Sequence, residues 1–141
     1  MNIYFSCSIT GGRNDEGVYK LLVDQLTDWG HEVPTAILAS PKVLDYEASE
    51  KPEAVYKRDV KWVEDCDALI AEVSTPSHGV GYEIALALFL NKPVLCCFQK
   101  NLKVSKMITG NDMPGLSLAP YDTQDELLQR VEEFLSGIEP D

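Results

Sequence analysis

Short apolar runs alternate with segments of helical spacing along this chain, and that alternation limits its possible folds more than any other sequence feature. The runs at residues 4–9, 68–73 and 94–98 have the length and continuity of strands buried on both faces. A further strand is predicted at residues 32–38. Alternating strands and helices predict an α/β fold: an open, mainly parallel twisted sheet with helices on both faces.

Four segments show the apolar spacing of helices. The first follows the glycine pair Gly11-Gly12, and Gly30 suits the left-handed position just past its end. The third, at residues 82–91, is almost wholly apolar, which indicates a helix buried on most sides. The polar stretch from Ser40 to Pro52 has no predicted structure, and our hypothesis for it is a flexible flap. The other helices are marked by Val18, Leu21, Leu22, Leu26 and Trp29, by Val55, Trp62, Val63 and Cys66, and by Leu127, Leu128, Val131, Phe134 and Leu135.

At 141 residues the chain has the length of one domain, so residues 1–141 are predicted to form a single domain. A hydrophobic fraction of 45% with 25% charged residues is typical of a globular protein and excludes a disordered chain. The N-terminus lacks the pattern of a signal peptide, and no apolar run is long enough to cross a membrane. We therefore expect a cytoplasmic protein with no membrane partner.

The net charge of −11 repels polyanions, and no basic patch offsets it. These features argue against a nucleic acid polymer as partner, although a small anion can still bind in a local pocket. The four cysteines show no CxxC spacing and lie within or at the end of apolar segments. They are predicted to be free thiols of a reducing compartment rather than disulfides or metal ligands. No metal or other cofactor is implied.

The binding crevice of such a sheet lies outside the carboxyl ends of its strands, as in Rossmann-like and flavodoxin-like folds. That rule brings the loops after Ile9 and Val73 together. Glu83 follows the second loop at the start of an apolar helix, where burial raises a carboxyl pKa and the helix N-terminus favours the ionised form. From position alone, Glu83 is equally well interpreted as an ionised nucleophile or base and as a residue that only complements the helix dipole.

Two further polar side chains are candidates for the same crevice. Asp59 shares a helix face with Val55 and Trp62, although a surface salt bridge with a basic neighbour is the commoner role for such an aspartate. Two carboxylates in one crevice suit displacement at an anomeric carbon. Tyr4, in the first strand, has a phenol within reach of that crevice, but a buried strand tyrosine more often belongs to the core.

The glycine loops and loop serines do not identify a nucleotide by themselves. Gly11-Gly12 lacks the Gly-Lys-Ser/Thr of a P-loop, and the segment around Gly79 lacks the third glycine of a dinucleotide fingerprint. Ser74, Ser77 and Ser105 have hydroxyls that can donate to a phosphate at a helix start. Turn formation is, however, the common role of loop serines.

The sequence contains three blocks that carry a family resemblance: Ile3-Tyr4-Phe5 with Ser8-Ile9-Thr10-Gly11-Gly12-Arg13, then Arg58-Asp59-Val60-Lys61-Trp62, and then the segment from Glu72 to Glu83. Together they resemble the nucleoside 2-deoxyribosyltransferase superfamily, and within it most closely the 2'-deoxynucleoside 5'-monophosphate N-hydrolases. The similarity runs from about residue 2 to residue 110. Its specific part is the block Pro-Ser-x-Gly-Val-Gly-Tyr-Glu, which ends at Glu83.

The resemblance implies a chemical role for each of the three candidate residues. Glu83 is implied to be the nucleophile that attacks C1' of the deoxyribose and forms a covalent glycosyl-enzyme, from which water releases 2-deoxyribose 5-phosphate. Asp59 is implied to hold the substrate or to aid protonation of the leaving base. Tyr4 is implied to position Glu83 or the sugar.

The resemblance also implies a substrate-binding set and a homodimer in which Ser105 of one subunit contributes to the neighbouring site. The substrate is a small-molecule deoxynucleotide or nucleoside. Ile9 is expected to touch the base, and several of the other positions match those that bind the 5'-phosphate. The implied set is Ser8, Ile9, Thr10, Gly11, Ser77, Gly79 and Ser105.

At Thr10 this chain departs from the hydrolases that it resembles, which carry an arginine there. The loss of a cation from a phosphate site weakens charge-assisted bonding by about 1.5–3 kcal/mol per bond if nothing replaces it. Our hypothesis is that Arg13, Lys103 or Lys106 compensates, because these residues lie close in sequence to Thr10 or Ser105.

Three alternatives stay open at this point. A nucleoside 2-deoxyribosyltransferase uses the same chemistry but passes the sugar to a second base. Ser77 argues modestly against it, because transferases that take bare nucleosides tend to carry an acidic residue there. A variant of the hydrolase would act on a ribonucleotide. A nucleotide-binding domain without turnover would gain little from two carboxylates.

Overall fold

The computed structural model describes residues 1–9, 12 and 15–139, and within them four strands form one parallel sheet. The strands pair in the order β1-β2-β3-β4, and every pairing is parallel, which confirms the predicted sheet. The strands are β1 Ile3–Ser6, β2 Ala68–Glu72, β3 Val94–Gln99 and β4 Leu116–Tyr121. The helices are α1 Glu16–Asp28, a 3₁₀ helix at Ala36–Ala39, α2 Val43–Ala48, α3 Pro52–Asp65, α4 His78–Phe89, α5 Lys106–Thr109 and α6 Gln124–Ile138.

Helices cover both faces of the sheet, as predicted. Side chains alternate along a strand, so Ile3 and Phe5 pack with α1 and α6 on one face, whereas Tyr4 packs with α3 and α4 on the other. Gly30 adopts a φ of +88° directly after α1, which confirms its place at the helix end. All four cysteines are free and buried, as predicted.

The strand predicted at residues 32–38 is wrong apart from its first residue. Glu32 forms a single parallel bridge at the outer edge of β1. Beyond it, Pro34 has no amide hydrogen to donate to a ladder. The hydroxyl of Thr35 takes the place of a strand carbonyl by accepting from the Phe5 amide at 2.9 Å. The chain then enters the 3₁₀ helix instead of a strand.

The stretch from Ser40 to Pro52 contains helix α2 rather than a flap. Arg58 of α3 pairs with Glu47 of α2, with 2.9 Å between nitrogen and oxygen. The flap hypothesis therefore has no support in the structure. Among residues 1–9, 12 and 15–139, no helix is both long enough and apolar enough to span a membrane.

The carboxyl ends of β1 and β2 are adjacent, because Ser6 pairs with Ala71 in the register of the two strands. The bridge to Glu32 lies on one side of β1, and strand β2 lies on the opposite side of β1. The direction of winding thus reverses at β1, and a ligand crevice is expected outside the carboxyl ends of strands at such a point. The loops after β1 and β2 meet there, as the sequence predicted.

Candidate active site

Glu83 points from α4 toward the end of β1. The Oγ of Ser6 donates a hydrogen bond to Oε2 of Glu83 at 2.7 Å. Because α4 begins at His78, earlier than predicted, Glu83 lies in its second turn, past the first turn where the helix dipole acts most strongly. A cavity of about 240 Å³ lies beside the carboxylate and is also lined by Asp59. This cavity, called the acidic cavity below, brings both predicted carboxylates together.

Burial is the main influence on Glu83, and it raises the pKa of this carboxyl to about 7. The hydrogen bond from Ser6 opposes that shift, while the negative charge of Asp59 adds to it. Tyr4 and Arg58 act in the same direction as Ser6. Glu83 therefore changes its ionisation near neutral pH, in the range useful to a carboxylate that takes part in a reaction.

Tyr4 lies on the same side of β1 as Ser6. Burial raises the pKa of its phenol, and the charges of Glu83 and Asp59 raise it further, so the side chain is a neutral donor. Its buried hydroxyl lies close enough to Glu83 to lower the carboxyl pKa, but makes no hydrogen bond of ordinary length and angle with the described residues. It is thus placed to act on the carboxylate or on a ligand beside it.

Asp59 is held by the residue before it in α3. The Nε of Arg58 donates to Oδ1 of Asp59 at 2.9 Å, and the guanidinium lies over the ring of Trp62, 4.9 Å from its centroid. Burial raises the pKa of Asp59, and the bond to Arg58 lowers it. Asp59 therefore has both of the features considered from sequence: a basic partner and a place in the cavity wall.

Ser6 and Arg58 are the site residues that sequence reasoning missed. A signal for Ser6 was present, because it follows Tyr4 by two positions and side chains two apart in a strand share a face. Arg58 stands beside Asp59 in the family block, but only the structure shows that it joins Asp59 to Glu47.

Gly79 leaves a gap between Ser77 and Glu83. A β-carbon added at Gly79 would lie 3.9 Å from Oε1 of Glu83 and 4.0 Å from Oγ of Ser77. Ser77 is the N-cap of α4, and its Oγ accepts from the Val80 amide at 3.4 Å. Both predicted residues thus face a space that a side chain at Gly79 would enter.

A second cavity, of about 530 Å³, lies on the other side of the first turns of α4 and is called the serine cavity below. Ser77 and Ser105 both line it within one chain, so the structure brings these two predicted residues together without a second subunit. Lys103 also lines this cavity, whereas Lys106 is not among its lining residues.

The other members of the predicted binding set are not brought to these cavities. Ser8 is fully buried and Ile9 is partly buried after β1, and neither is among the residues that line the acidic or the serine cavity. Thr10 and Gly11 lie outside the described residues, as does Arg13.

A buried aspartate joins two loops and the end of a strand behind the site. Asp15, at the start of α1, accepts a hydrogen bond from Oγ1 of Thr75 at 2.9 Å. It also accepts one from Nε2 of Gln99 at 2.8 Å. The loops after β1 and β2 and the end of β3 are therefore tied to a single carboxylate, Asp15, which sequence reasoning missed.

Glu72, the last residue of β2, belongs to the same hydrogen-bond network at the carboxyl ends of the strands. It accepts from the Ser74 amide at 2.7 Å and from the hydroxyl of Tyr121. Ser74 donates its own hydroxyl to Glu72 and accepts from the Gln99 amide at 3.0 Å. Ser74, a candidate phosphate donor from sequence, is thus committed to the network. A polar residue at the end of an apolar strand was the available signal for Glu72.

Comparisons with known proteins agree with this architecture. The CMP N-glycosidase of Clostridium botulinum has the same fold, with a TM-score of 0.71 over 94% of this chain and 98% of that one, at 20% sequence identity. A Methanosarcina barkeri protein provisionally named 2'-deoxynucleoside 5'-phosphate N-hydrolase 1 is 39% identical over 136 residues, which cover 96% of this chain and 86% of that protein. The 5-hydroxymethyl-dUMP N-hydrolase of Danio rerio is 35% identical over 140 residues, 98% of each chain.

The family model described as nucleoside 2-deoxyribosyltransferase matches residues 3–128. The matched span includes all four strands and the three residues that line or border the acidic cavity, Tyr4, Asp59 and Glu83. On this match, and on relatives that cover nearly all of its length, the chain belongs to the nucleoside 2-deoxyribosyltransferase family.

Proposed function

We propose that this chain hydrolyses the N-glycosidic bond of 2'-deoxynucleoside 5'-monophosphates and releases the free base and 2-deoxyribose 5-phosphate. The observation that carries the proposal is the placement of Glu83 beside a cavity that Asp59 also lines, with a hydrogen bond from Ser6 to the Glu83 carboxylate. The names of the two relatives, both N-hydrolases of deoxynucleotides, support the same reaction.

In the proposed reaction an ionised oxygen of Glu83 forms a bond to C1' as the bond from C1' to the base nitrogen breaks. The bonding electrons leave with the base, which takes up a proton, and the transition state has oxocarbenium character. Water then attacks C1': its hydroxyl bonds to C1' as the bond from C1' to Glu83 breaks, and its other proton replaces the one that the base took up. The sugar phosphate is released and the Glu83 carboxylate is regenerated. Asp59 holds the sugar or aids proton delivery to the base, and Tyr4 donates toward Glu83 or the sugar.

The environment of Glu83 suits a nucleophile that must be ionised and also close to carbon. Burial alone favours the neutral acid, and the hydrogen bond from Ser6 stabilises the charged form instead. A carboxylate with its pKa near 7 is partly ionised at neutral pH and is less strongly solvated than an exposed one.

The decisive experiment is an assay of base release. Each deoxynucleoside monophosphate and its ribose counterpart is incubated singly with the protein, and free base is separated and quantified. We expect release from at least one deoxynucleotide and its loss in Glu83→Gln. Binding of nucleotide without base release, in the wild type as in the variant, would instead indicate a binding domain without turnover.

Sugar transfer to a second base is the alternative reaction, favoured by the family to which the chain belongs. The assay distinguishes it when a free acceptor base is added. A new nucleoside or nucleotide would demonstrate transfer, whereas sugar phosphate alone supports hydrolysis.

We further propose a cytoplasmic homodimer. Three large exposed side chains on neighbouring helices support a contact between two copies, because Tyr56 and Tyr82 touch edge to face and Phe89 follows Tyr82 by two helical turns. Phe89 is 75% exposed. Sedimentation or light scattering of the wild type and of Phe89→Glu tests this, and a wild-type monomer would contradict it. We also propose the substrate-binding set that the family resemblance implies, which consists of Ser8, Ile9, Thr10, Gly11, Ser77, Gly79 and Ser105.

A further inference from the structure

The two cavities beside α4 differ in charge. The chain has 23 acidic and 12 basic residues, and the acidic cavity is lined by Asp59 and Glu83. The larger serine cavity is lined by Lys103, and no aspartate or glutamate is among its described lining residues. In a chain of net charge −11, a cavity that has a lysine and lacks carboxylates is the part of the site best suited to an anion.

Lys103 is free to meet a ligand. It forms no ion pair with residues 1–9, 12 or 15–139, whereas Arg58 and Lys100 are each bound to two carboxylates. An ammonium group that already pairs with a carboxylate would have to give up that partner to bind a phosphate, and Lys103 avoids this cost.

Hydroxyl donors stand in the same cavity wall. The Oγ of Ser77 accepts from the Val80 amide, and the Oγ of Ser105 accepts from the Met107 amide at 3.2 Å. A hydroxyl whose oxygen accepts in this way still has its own hydrogen to donate. Two serines and a lysine together offer two neutral donors and one cationic donor to the oxygens of one anion.

The anion site and Glu83 are within reach of one small substrate. Oγ of Ser77 and Oε1 of Glu83 lie 4.0 Å and 3.9 Å from the same point beside Gly79. A ligand group that enters this gap is therefore in contact distance of Ser77, which lines the serine cavity, and of Glu83, which lines the acidic cavity.

We infer that Lys103 binds the 5'-phosphate of the substrate in the serine cavity and makes this chain prefer nucleotides to nucleosides. The inference rests on the proposed function for its choice of ligand, a phosphate monoester joined to deoxyribose. It distinguishes among the three basic residues considered from sequence: Lys106 does not line the cavity, and Arg13 lies outside the described residues.

The test compares Lys103→Gln with Lys103→Arg and with Lys106→Gln, a matched change three residues away. For each protein, kcat/KM is measured for a deoxynucleoside monophosphate and for the same nucleoside without phosphate. We expect Lys103→Gln to lower the nucleotide-to-nucleoside ratio of kcat/KM about 10- to 100-fold, which corresponds to the loss of one charge-assisted bond. Lys103→Arg should keep most of the ratio, and Lys106→Gln should keep all of it.

An unchanged ratio in Lys103→Gln, or an equal fall in Lys106→Gln, would overturn the inference. A second measurement separates it from the proposed reaction: calorimetric binding of 2-deoxyribose 5-phosphate to the wild type and to Lys103→Gln. If no base is released but binding weakens about 10-fold or more in the variant, the reaction is wrong and the Lys103 site stands. If base is released and binding is equal in both proteins, the Lys103 site is wrong.

Discussion

At the scale of single residues, the Glu83 carboxyl is set between burial, which favours its neutral form, and the Ser6 hydroxyl, which favours its charged form. The proposed reaction requires the charged form. Activity should therefore depend on pH in a way that Ser6 controls.

We expect kcat/KM for base release to rise with pH through about 7 and then level off, because this parameter reports ionisation of the free enzyme. Ser6→Ala removes a bond that lowers the pKa of Glu83, so the rise should move to higher pH. Ser6→Thr keeps the hydroxyl and should keep the wild-type profile. Identical profiles for the wild type and Ser6→Ala would show that another group controls the rise.

Glu83 should also make the protein less stable at neutral than at mildly acidic pH. Its folded-state pKa of about 7 lies above its ordinary value of 4.5, so the folded protein holds this proton more tightly than the unfolded chain. The stability from the bound proton is full below pH 4.5 and is lost as pH rises through about 7, in total about 3 kcal/mol.

Glu83→Gln cannot ionise and should be more stable than the wild type at pH 8, with a smaller gain at pH 5. Urea unfolding at both pH values measures the difference. A gain of equal size at pH 5 and pH 8 would contradict the raised pKa.

Gly79→Ala tests the gap between Ser77 and Glu83. The added methyl group would make only ordinary contacts, at 3.9 Å and 4.0 Å, so the fold should tolerate it and the helix should gain up to about 1 kcal/mol. Base release should nevertheless fall at least 10-fold, because the methyl enters the proposed substrate space. Gly137→Ala, in α6 with nothing within 4 Å of the added carbon, is the matched control and should keep full activity.

At the scale of elements, the loops that carry the site depend on buried polar groups rather than on their own sequences. Asp15 is 9% exposed and joins the start of α1 to the loop after β2 and to the last residue of β3. Thr75, one of its partners, stands two residues before Ser77. The position of Ser77 is thus coupled to α1 through Asp15.

Asp15→Ala leaves the Thr75 hydroxyl and the Gln99 amide without their acceptor, which should cost about 2–3 kcal/mol of unfolding free energy. If the bond to Thr75 also sets the position of Ser77, Thr75→Val should raise KM for the nucleotide more than it lowers kcat, and Thr75→Ser should restore KM. Equal KM values for Thr75→Val and Thr75→Ser would mean that the network only stabilises the fold.

Three of the four described strands were predicted from the sequence. β1, β2 and β3 were predicted because strands buried on both faces are continuous apolar runs. β4 was missed because it is a partly exposed edge strand that contains Pro120, and its pattern differs from that of an inner strand. The candidate site was found through Glu83, Asp59 and Tyr4. Ser6 had only its two-residue spacing from Tyr4 as a signal, and Arg58 and Asp15 act through Glu47 and Thr75, partners distant in sequence that no local pattern reveals.

At the scale of the whole molecule, the question is whether one chain completes its own site. Ser77 and Ser105 line the same cavity within one chain, while the family resemblance implies that Ser105 reaches the neighbouring subunit. The predicted single domain also stays a prediction at this scale.

Mixed subunits distinguish the two arrangements of Ser105. Glu83→Gln chains and Ser105→Ala chains are each expected to be impaired, and they are unfolded and refolded together. If Ser105 acts across the dimer, the mixture should regain up to about a quarter of wild-type activity, since half of the dimers are mixed and each holds one intact site. If Ser105 acts within its own chain, the mixture should show only the average of the two variants.

Both edges of the sheet carry features that oppose strand addition. At β1 the Phe5 amide is satisfied by Thr35 and the neighbouring Pro34 has no amide hydrogen, and at β4 Pro120 removes a donor from the side that does not face β3. Unprotected edge strands are templates for edge-to-edge aggregation, and prolines are among the devices that block it. These features disfavour growth of the sheet by edge-to-edge pairing, and we expect contacts between folded molecules to form on the helical surfaces instead.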